Sequence, residues 1–248
     1  MEHLSAVLIV KNEEQNIARC LKSISRVEEI VVLDTGSTDE TVNICKNFGA
    51  KVYYLDKWEG FGKAKQQAVV LATFDWILSI DADEELCPEL QKELQELKKR
   101  EFDNSAWRLK RRSYYLGKPI HYCGWQNDAP LRIFNRKLGK FSEKLVHEGV
   151  QTSQKVKTCK HYLYHYTSPT VAVHFAKMRL YGELSAQQLY AQGKRANELI
   201  AFVRGSYKFI KMYLFQLGFL DGAKGFLLCK NSAWGVWNRY HLLGKMKK

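Results

Sequence analysis

Four short apolar runs, separated by segments with helical spacing, restrict what the first eighty residues can fold into. Ala6-Val7-Leu8-Ile9-Val10, Ile30-Val31-Val32-Leu33, Lys51-Val52-Tyr53-Tyr54-Leu55 and Trp76-Ile77-Leu78-Ser79-Ile80 read as strands. The first is continuous enough to be buried on both faces. Between the runs, Ile17, Leu21 and Ile24 recur at helical spacing, as do Ala64, Ala68 and Leu71. A helix between the second and third runs has Ser37 or Thr38 to cap it, Asp39 and Glu40 in its first turn and Gly49 to stop it. This alternation predicts an α/β fold: a mostly parallel, Rossmann-like sheet covered by helices on both faces. Pro88 suits a first helical position, and Leu90, Leu94 and Leu97 mark an amphipathic helix after it. From about 105 to 165 the pattern is short and β-like, and from about 170 onward it is helical, basic and aromatic.

Charge divides the chain in the same way. Residues 1–150 balance 23 Lys/Arg against 23 Asp/Glu, whereas residues 151–248 carry 16 Lys/Arg and only 3 Asp/Glu. The net charge of +13 therefore sits in the last two-fifths, which is expected to meet an anionic partner such as phospholipid, phosphorylated glycolipid or nucleic acid. These features predict a catalytic domain over 1–168 and a basic amphipathic helical region over 169–248. Six scattered cysteines with no CxxC pair read as free thiols in a reducing compartment. Met1-Glu2-His3 leads straight into a strand without the basic and apolar regions of a signal peptide, so a cytoplasmic location is expected.

In parallel α/β sheets ligands bind beyond the carboxyl ends of the strands. The polar residues gather there: Asn12-Glu13 after the first strand, Asp34 after the second, Asp81 and Asp83 after the fourth. Two readings fit Asp81-Ala82-Asp83-Glu84-Glu85. One divides labour between a ribose contact and a divalent cation on a diphosphate, and the other sets acids against the dipole of the following helix. Glu84 and Glu85 are expected to serve that helix. Asp34 fits a base or ribose contact as well as an ordinary turn.

Val7 to Glu14, Val32 to Asp39, Ala64-Lys65-Gln66 and Leu78 to Glu84, in that order and spacing over residues 4–90, closely resemble the family 2 glycosyltransferases of the GT-A fold. Residues 100–245 further resemble the subgroup that adds sugars to the lipopolysaccharide inner core, typically a β-1,4-glucosyl transfer to heptose. The resemblance implies a nucleotide pocket lined by Glu13 and Asp34, a ribose contact from Asp81, and Mg²⁺ or Mn²⁺ on Asp83. It further implies a donor such as UDP-glucose, an anionic glycolipid acceptor and peripheral attachment to the inner face of the cytoplasmic membrane. The chain departs from many relatives in having Thr35 where they carry a second Asp, and Lys65-Gln66 where they carry Arg-Asn. Lys65 can neutralise donor phosphate as a point charge, without the bidentate fork of arginine.

Inverting transfer needs a carboxylate to take the acceptor hydroxyl's proton. The candidates are Glu148 in Leu145-Val146-His147-Glu148-Gly149 and Asp128 in Trp125-Gln126-Asn127-Asp128; a His-Glu step like that at 147–148 recurs in the subgroup, which favours Glu148. A strand glutamate paired with Lys144 is the bland alternative. Arg132, in a segment resembling the family's R-x-F, is either a ligand for donor diphosphate or acceptor phosphate or a rim arginine. His165 is a further candidate ligand to metal or diphosphate. The basic helix through Arg204, Lys208 and Lys211, with Trp234, Trp237 and Tyr240, suits a membrane interface. A nucleotidyltransferase would need a Gly-rich loop where Lys11-Asn12-Glu13-Glu14 stands. A nucleic-acid-binding protein would leave the acidic strand ends unexplained, so no nucleic-acid partner is expected. Another glycolipid or polysaccharide acceptor remains the main alternative.

Overall fold

The computed structural model describes residues 2–142, 149–168 and 170–246. In chain order it runs β1 (Leu4–Val10), α1 (Ile17–Ser23), β2 (Glu29–Asp34), α2 (Thr41–Asn47), β3 (Lys51–Tyr54), α3 (Phe61–Leu71), β4 (Trp76–Ser79), β5 (Glu84–Leu86) and α4 (Pro88–Lys99). There follow β6 (Ala106–Tyr115), β7 (Lys118–Pro119), β8 (Leu131–Asn135), β9 (Gly139–Phe141), β10 (Val150–Thr152) and β11 (Val156–Ser168), then α5 (Val171–Ala191), α6 (Glu198–Ile210) and α7 (Gly222–Lys245). Two compact units emerge: residues 1–111 with 129–165, and residues 112–128 with 166–248.

The first unit is the expected α/β sheet. Its strands lie in the order β3-β2-β1-β4-β8-β6-β11-β5, the first four parallel and the neighbours beyond β4 antiparallel where β8 pairs β4 and β6, and β11 pairs β5. Alternation along β1 explains why both faces are covered. Leu4, Ala6, Leu8 and Val10 join a core with α1 and α4, and Val7 joins the opposite core with Ala64, Ala68 and Val69 of α3. Register aligns the carboxyl ends: Val10 lies opposite Asp34, Asp34 opposite Tyr54, and Val7 opposite Ser79. Lys11, Thr35 and Ile80 therefore leave the sheet at one edge.

Local chemistry corrects two expectations. Ser37 and Thr38 do not cap α2; the Ser37 hydroxyl accepts the Asn12 N–H at 3.0 Å, and the Thr38 N–H donates to Asn12 Oδ1 at 2.7 Å. Asp39 and Glu40 precede the helix and do not form its first turn, and Asp39 accepts from the Thr41 N–H at 3.0 Å. Asn12 has a positive φ of 54°, which asparagine tolerates, and Gly36 sits at φ 101°, where a side chain would be strained. Glu84 and Glu85 do not serve α4 either. They form β5, and α4 is instead capped by the Cys87 sulfur, which accepts from the Leu90 N–H.

At the opposite edge, Glu29 ties the strand beginnings together. Its carboxylate accepts from the Ser5 hydroxyl at 2.5 Å, the Thr73 N–H at 2.7 Å, the Thr73 hydroxyl at 2.6 Å and Lys51 Nζ at 2.7 Å. Burial pushes its carboxyl up, but the bonds from Lys51, Ser5 and Thr73 outweigh burial and bring it down from 4.5 to about 2. A carboxyl lowered on folding stabilises the protein above its unfolded value and loses that contribution as pH falls through its folded value. Glu29→Gln should therefore cost about 3 kcal/mol at neutral pH. Urea unfolding between pH 4.5 and about 2 should show a correspondingly weaker acid dependence in the variant than in the wild type.

The second unit holds the β6–β7 hairpin end and the helices. A small core of Tyr115, Ile120, Cys123, Met212, Leu228 and Cys229 joins its two chain segments, with the Tyr115 hydroxyl accepting from Asn231 Nδ2 at 2.9 Å. Among the described residues no helix is long and apolar enough to cross a membrane.

Candidate active site

The turn between β4 and β5 carries Asp81, Ala82 and Asp83 at the carboxyl edge of the sheet. Asp81 lies between two cations: Lys65 Nζ is 2.9 Å from one carboxylate oxygen and Arg132 Nη2 is 2.5 Å from the other. Lys65 is placed by the second turn of α3 and Arg132 by β8, both in the first unit. Burial would raise the Asp81 carboxyl, but Arg132 and Lys65 together hold it well below the usual carboxylate range. Asp81 is thus a permanent anion, and its side chain is still 30% exposed.

Beneath it is a fully buried carboxylate. Glu84 has no solvent exposure; its Oε1 lies 2.5 Å from Arg132 Nη2 and 3.2 Å from Arg111 Nη1, and its Oε2 accepts the Asp81 N–H at 3.0 Å. One side chain therefore positions an arginine and the turn together. Arg132 is no rim residue: it is 5% exposed, and Asp81 and Glu84 more than offset the lowering effect of its burial, so its guanidinium is held charged. Its Nε is buried with no hydrogen-bond partner among the described residues.

Asp83 lies 3.4 Å from His165 Nε2 on β11, with both side chains about one-sixth exposed, at 15% and 16%. A carboxylate and an imidazole side by side are both metal-ligand types. The pair fits a divalent cation that takes few protein ligands and completes its shell elsewhere. No group of three or more His, Cys, Asp or Glu is assembled for a metal among the described residues.

The other predicted residues fall in different places. Asp34 is 3% exposed, and its oxygens accept the N–H groups of Gly36 and Ser37 at 3.1 to 3.2 Å, which shapes the loop after β2. Glu13 accepts from Asn16 Nδ2 at 2.9 Å, and its own N–H donates to the Thr41 hydroxyl at 2.7 Å. Asp128 belongs to the second unit, in a turn where its N–H donates to the Trp125 carbonyl at 3.2 Å. Glu148, with Lys144 and His147, lies outside the described residues. Sequence reasoning missed Arg111 and misassigned Glu84. Arg111 was legible, since it stands two residues after buried Leu109 and so shares its face of β6. Glu84 gave no such signal, because its role depends on β5 pairing with β11, where Glu84 lies opposite His165.

Known proteins resemble this chain in sequence. A glycosyltransferase of Rickettsia prowazekii is 32% identical over 244 residues, covering 92% of this chain and 82% of that one. The lipopolysaccharide core biosynthesis glycosyltransferase LpsC of Rhizobium meliloti is 29% identical over 230 residues, covering 90% and 85%. Among solved structures, glucosyl-3-phosphoglycerate synthase from Mycobacterium tuberculosis, in complex with Mn²⁺, UDP-glucose and phosphoglyceric acid, shares 28% identity at a TM-score of 0.36, covering 46% of this chain and 44% of that one. Residues 5–145 match the domain of glycosyl transferase family 2. With that domain over more than half of the sequence, the chain belongs to glycosyl transferase family 2 and is a glycosyltransferase.

Proposed function

We propose that the protein transfers a hexose, glucose from UDP-glucose, with inversion onto a lipopolysaccharide or lipooligosaccharide inner-core acceptor at the cytosolic face of the membrane. The observation that carries the donor half is Asp81, kept anionic between Lys65 and Arg132 at the carboxyl edge of the sheet. A permanent carboxylate accepts hydrogen bonds from vicinal ribose hydroxyls, and the adjacent cations face the diphosphate that follows. Glu13 and the Asp34 loop line the nucleotide side. Asp83 holds Mg²⁺ or Mn²⁺, with His165 beside it. When bound, the cation supplies positive charge for the departing diphosphate. The acceptor half is supported by the family resemblance, by the relative named for lipopolysaccharide core biosynthesis and by the basic charge of the last ninety-eight residues.

In the transfer, the acceptor oxygen attacks the anomeric carbon as its proton passes to a carboxylate, and the bond from that carbon to the diphosphate oxygen breaks. Glu148 is our assignment for the proton acceptor, with Asp128 the alternative. Glu148→Gln should cut transfer by about 10²–10⁴-fold while sparing donor binding. If Asp128→Asn has that effect instead, the base is Asp128. The test of the whole reading is a thermal-shift series of nucleoside diphosphates with and without Mn²⁺. UDP with Mn²⁺ is expected to stabilise the protein by about 3 kcal/mol at a hundredfold excess over Kd, and by less without the metal; no shift with any nucleotide would refute the donor site.

A further inference from the structure

The helices of the second unit leave an apolar surface uncovered. Successive helical residues turn by about 100°, which sorts α6 into three sectors. Ala201 and Gly205 face α7, where a side-chain carbon on Gly205 would come within 3.0 Å of Trp237. Leu199, Phe202, Val203, Tyr207 and Ile210 form a second sector, and all are exposed, Leu199 by 69% and Phe202 by 65%. The stripe continues past the helix into Leu214 and Phe215, the latter 79% exposed. The third sector, between these two, carries Arg204 and Lys208, with Lys211 at the start of the π-helical turn Lys211–Phe215.

The cations of this sector belong to a cluster that spans two helices. Arg204 and Arg239 of α7 both stand over the ring of Tyr240, at 5.5 and 5.9 Å. Burial pushes the Lys208 ammonium down, and Lys211 and Arg239 push it further. Among the described residues no carboxylate compensates them. Glu198 is taken by His241 at 2.5 Å, Asp221 accepts the N–H groups of His121 and Tyr122, and none of the four cations has an ion pair among the described residues. Like charges gathered without a counter-ion beside an exposed apolar stripe are costly in water and favourable where phosphates meet acyl chains. Trp234 and Trp237 contribute less than the sequence suggested, being half-buried against Phe175 and His241.

We propose that α6 lies flat in the headgroup layer of an anionic phospholipid bilayer, its Leu199–Ile210 stripe in the acyl boundary and Arg204, Lys208, Lys211 and Arg239 on lipid phosphates. This rests on the membrane-facing reading above and adds the orientation of the helix, the residues that enter the acyl boundary and the share of Arg239 from α7. RNA would satisfy the cations and stack on Phe202, Tyr207 or Phe215, but Leu199, Val203, Ile210 and Leu214, four of the seven stripe residues, offer a polynucleotide nothing to pair or stack with and favour acyl chains.

The test is co-sedimentation of the full chain with phosphatidylcholine vesicles, with and without phosphatidylglycerol. The wild type should favour the anionic vesicles, and high salt should weaken that preference. In Arg204→Gln/Lys208→Gln, partition to anionic vesicles should drop roughly thirtyfold, at about fivefold per charge, with melting and nucleotide-induced stabilisation unchanged. Phe202→Ser should weaken binding to both vesicle types. A wild type that partitions without regard to phosphatidylglycerol, or a double variant that keeps the wild-type preference for it, overturns the phosphate cluster while leaving membrane attachment standing. Binding to neither vesicle overturns both, and salt-sensitive RNA binding lost in the double variant, with no vesicle binding, assigns the surface to nucleic acid.

Discussion

Asp83→Asn is expected to lower turnover roughly a thousandfold, the equivalent of about 4 kcal/mol of transition-state stabilisation, with little change in melting temperature. Asparagine keeps the shape of the side chain but removes the charge that a hard cation requires of an oxygen ligand. The side chain is partly exposed and sits in a turn, so the fold does not depend on that charge. The discriminating measurement is nucleotide binding with and without Mn²⁺. The variant should bind UDP equally in both conditions, whereas the wild type should bind more tightly with the metal. Wild-type turnover in Asp83→Asn would remove the cation from this residue.

The second large effect is on stability. Glu84→Gln should cost about 3 kcal/mol, a drop in melting temperature of roughly 6–12 °C for a chain of this size. Glutamine is nearly isosteric, but it leaves Arg111 and Arg132 in a buried site with one carboxylate fewer between them. Arg132 keeps Asp81, which places the expected cost at the low end for breaking a buried pair. Because the same side chain accepts the Asp81 N–H, the variant should also raise the KM for the donor. Glu85→Gln is the control. Its pairing with Arg19 is long, at 3.8 Å and partly exposed, so the expected change is below about 1 kcal/mol. Equal losses from the two glutamates would mean that Glu84 is no more than a surface acid.

The contrast between these neighbours shows where sequence reading ends. β1, β2 and β4 were legible because a doubly buried strand must be largely apolar, as β1 is apart from Ser5, whereas β3 at the sheet edge showed only Val52 and its tyrosines. Leu90, Leu94 and Leu97 were legible for the analogous helical reason, and all three are buried. The clustering of Asp34 and Asp81 at one edge followed from parallel topology alone. What could not be read was how the antiparallel half folds back onto that edge. Nothing local to Asp81-Ala82-Asp83-Glu84-Glu85 says that the chain turns back into β5, or that Arg132 and His165, 51 and 82 positions beyond Asp81 and Asp83, arrive beside it. Acids before a helix ordinarily serve its dipole, and here a strand pairing claimed them first.

The Glu29 carboxylate has a consequence for how the chain assembles. Its partners Ser5, Lys51 and Thr73 stand 24, 22 and 44 residues away, one in each successive crossover. Each partner therefore closes a loop through the same two oxygen atoms. Such closures carry their entropic cost before the contacts are rewarded, and parallel pairing is slow for that reason. A knot of bonds that needs three crossovers in place is made late and, once made, has to be broken early. Its weight falls on the rate at which the sheet comes apart and much less on the rate at which it forms.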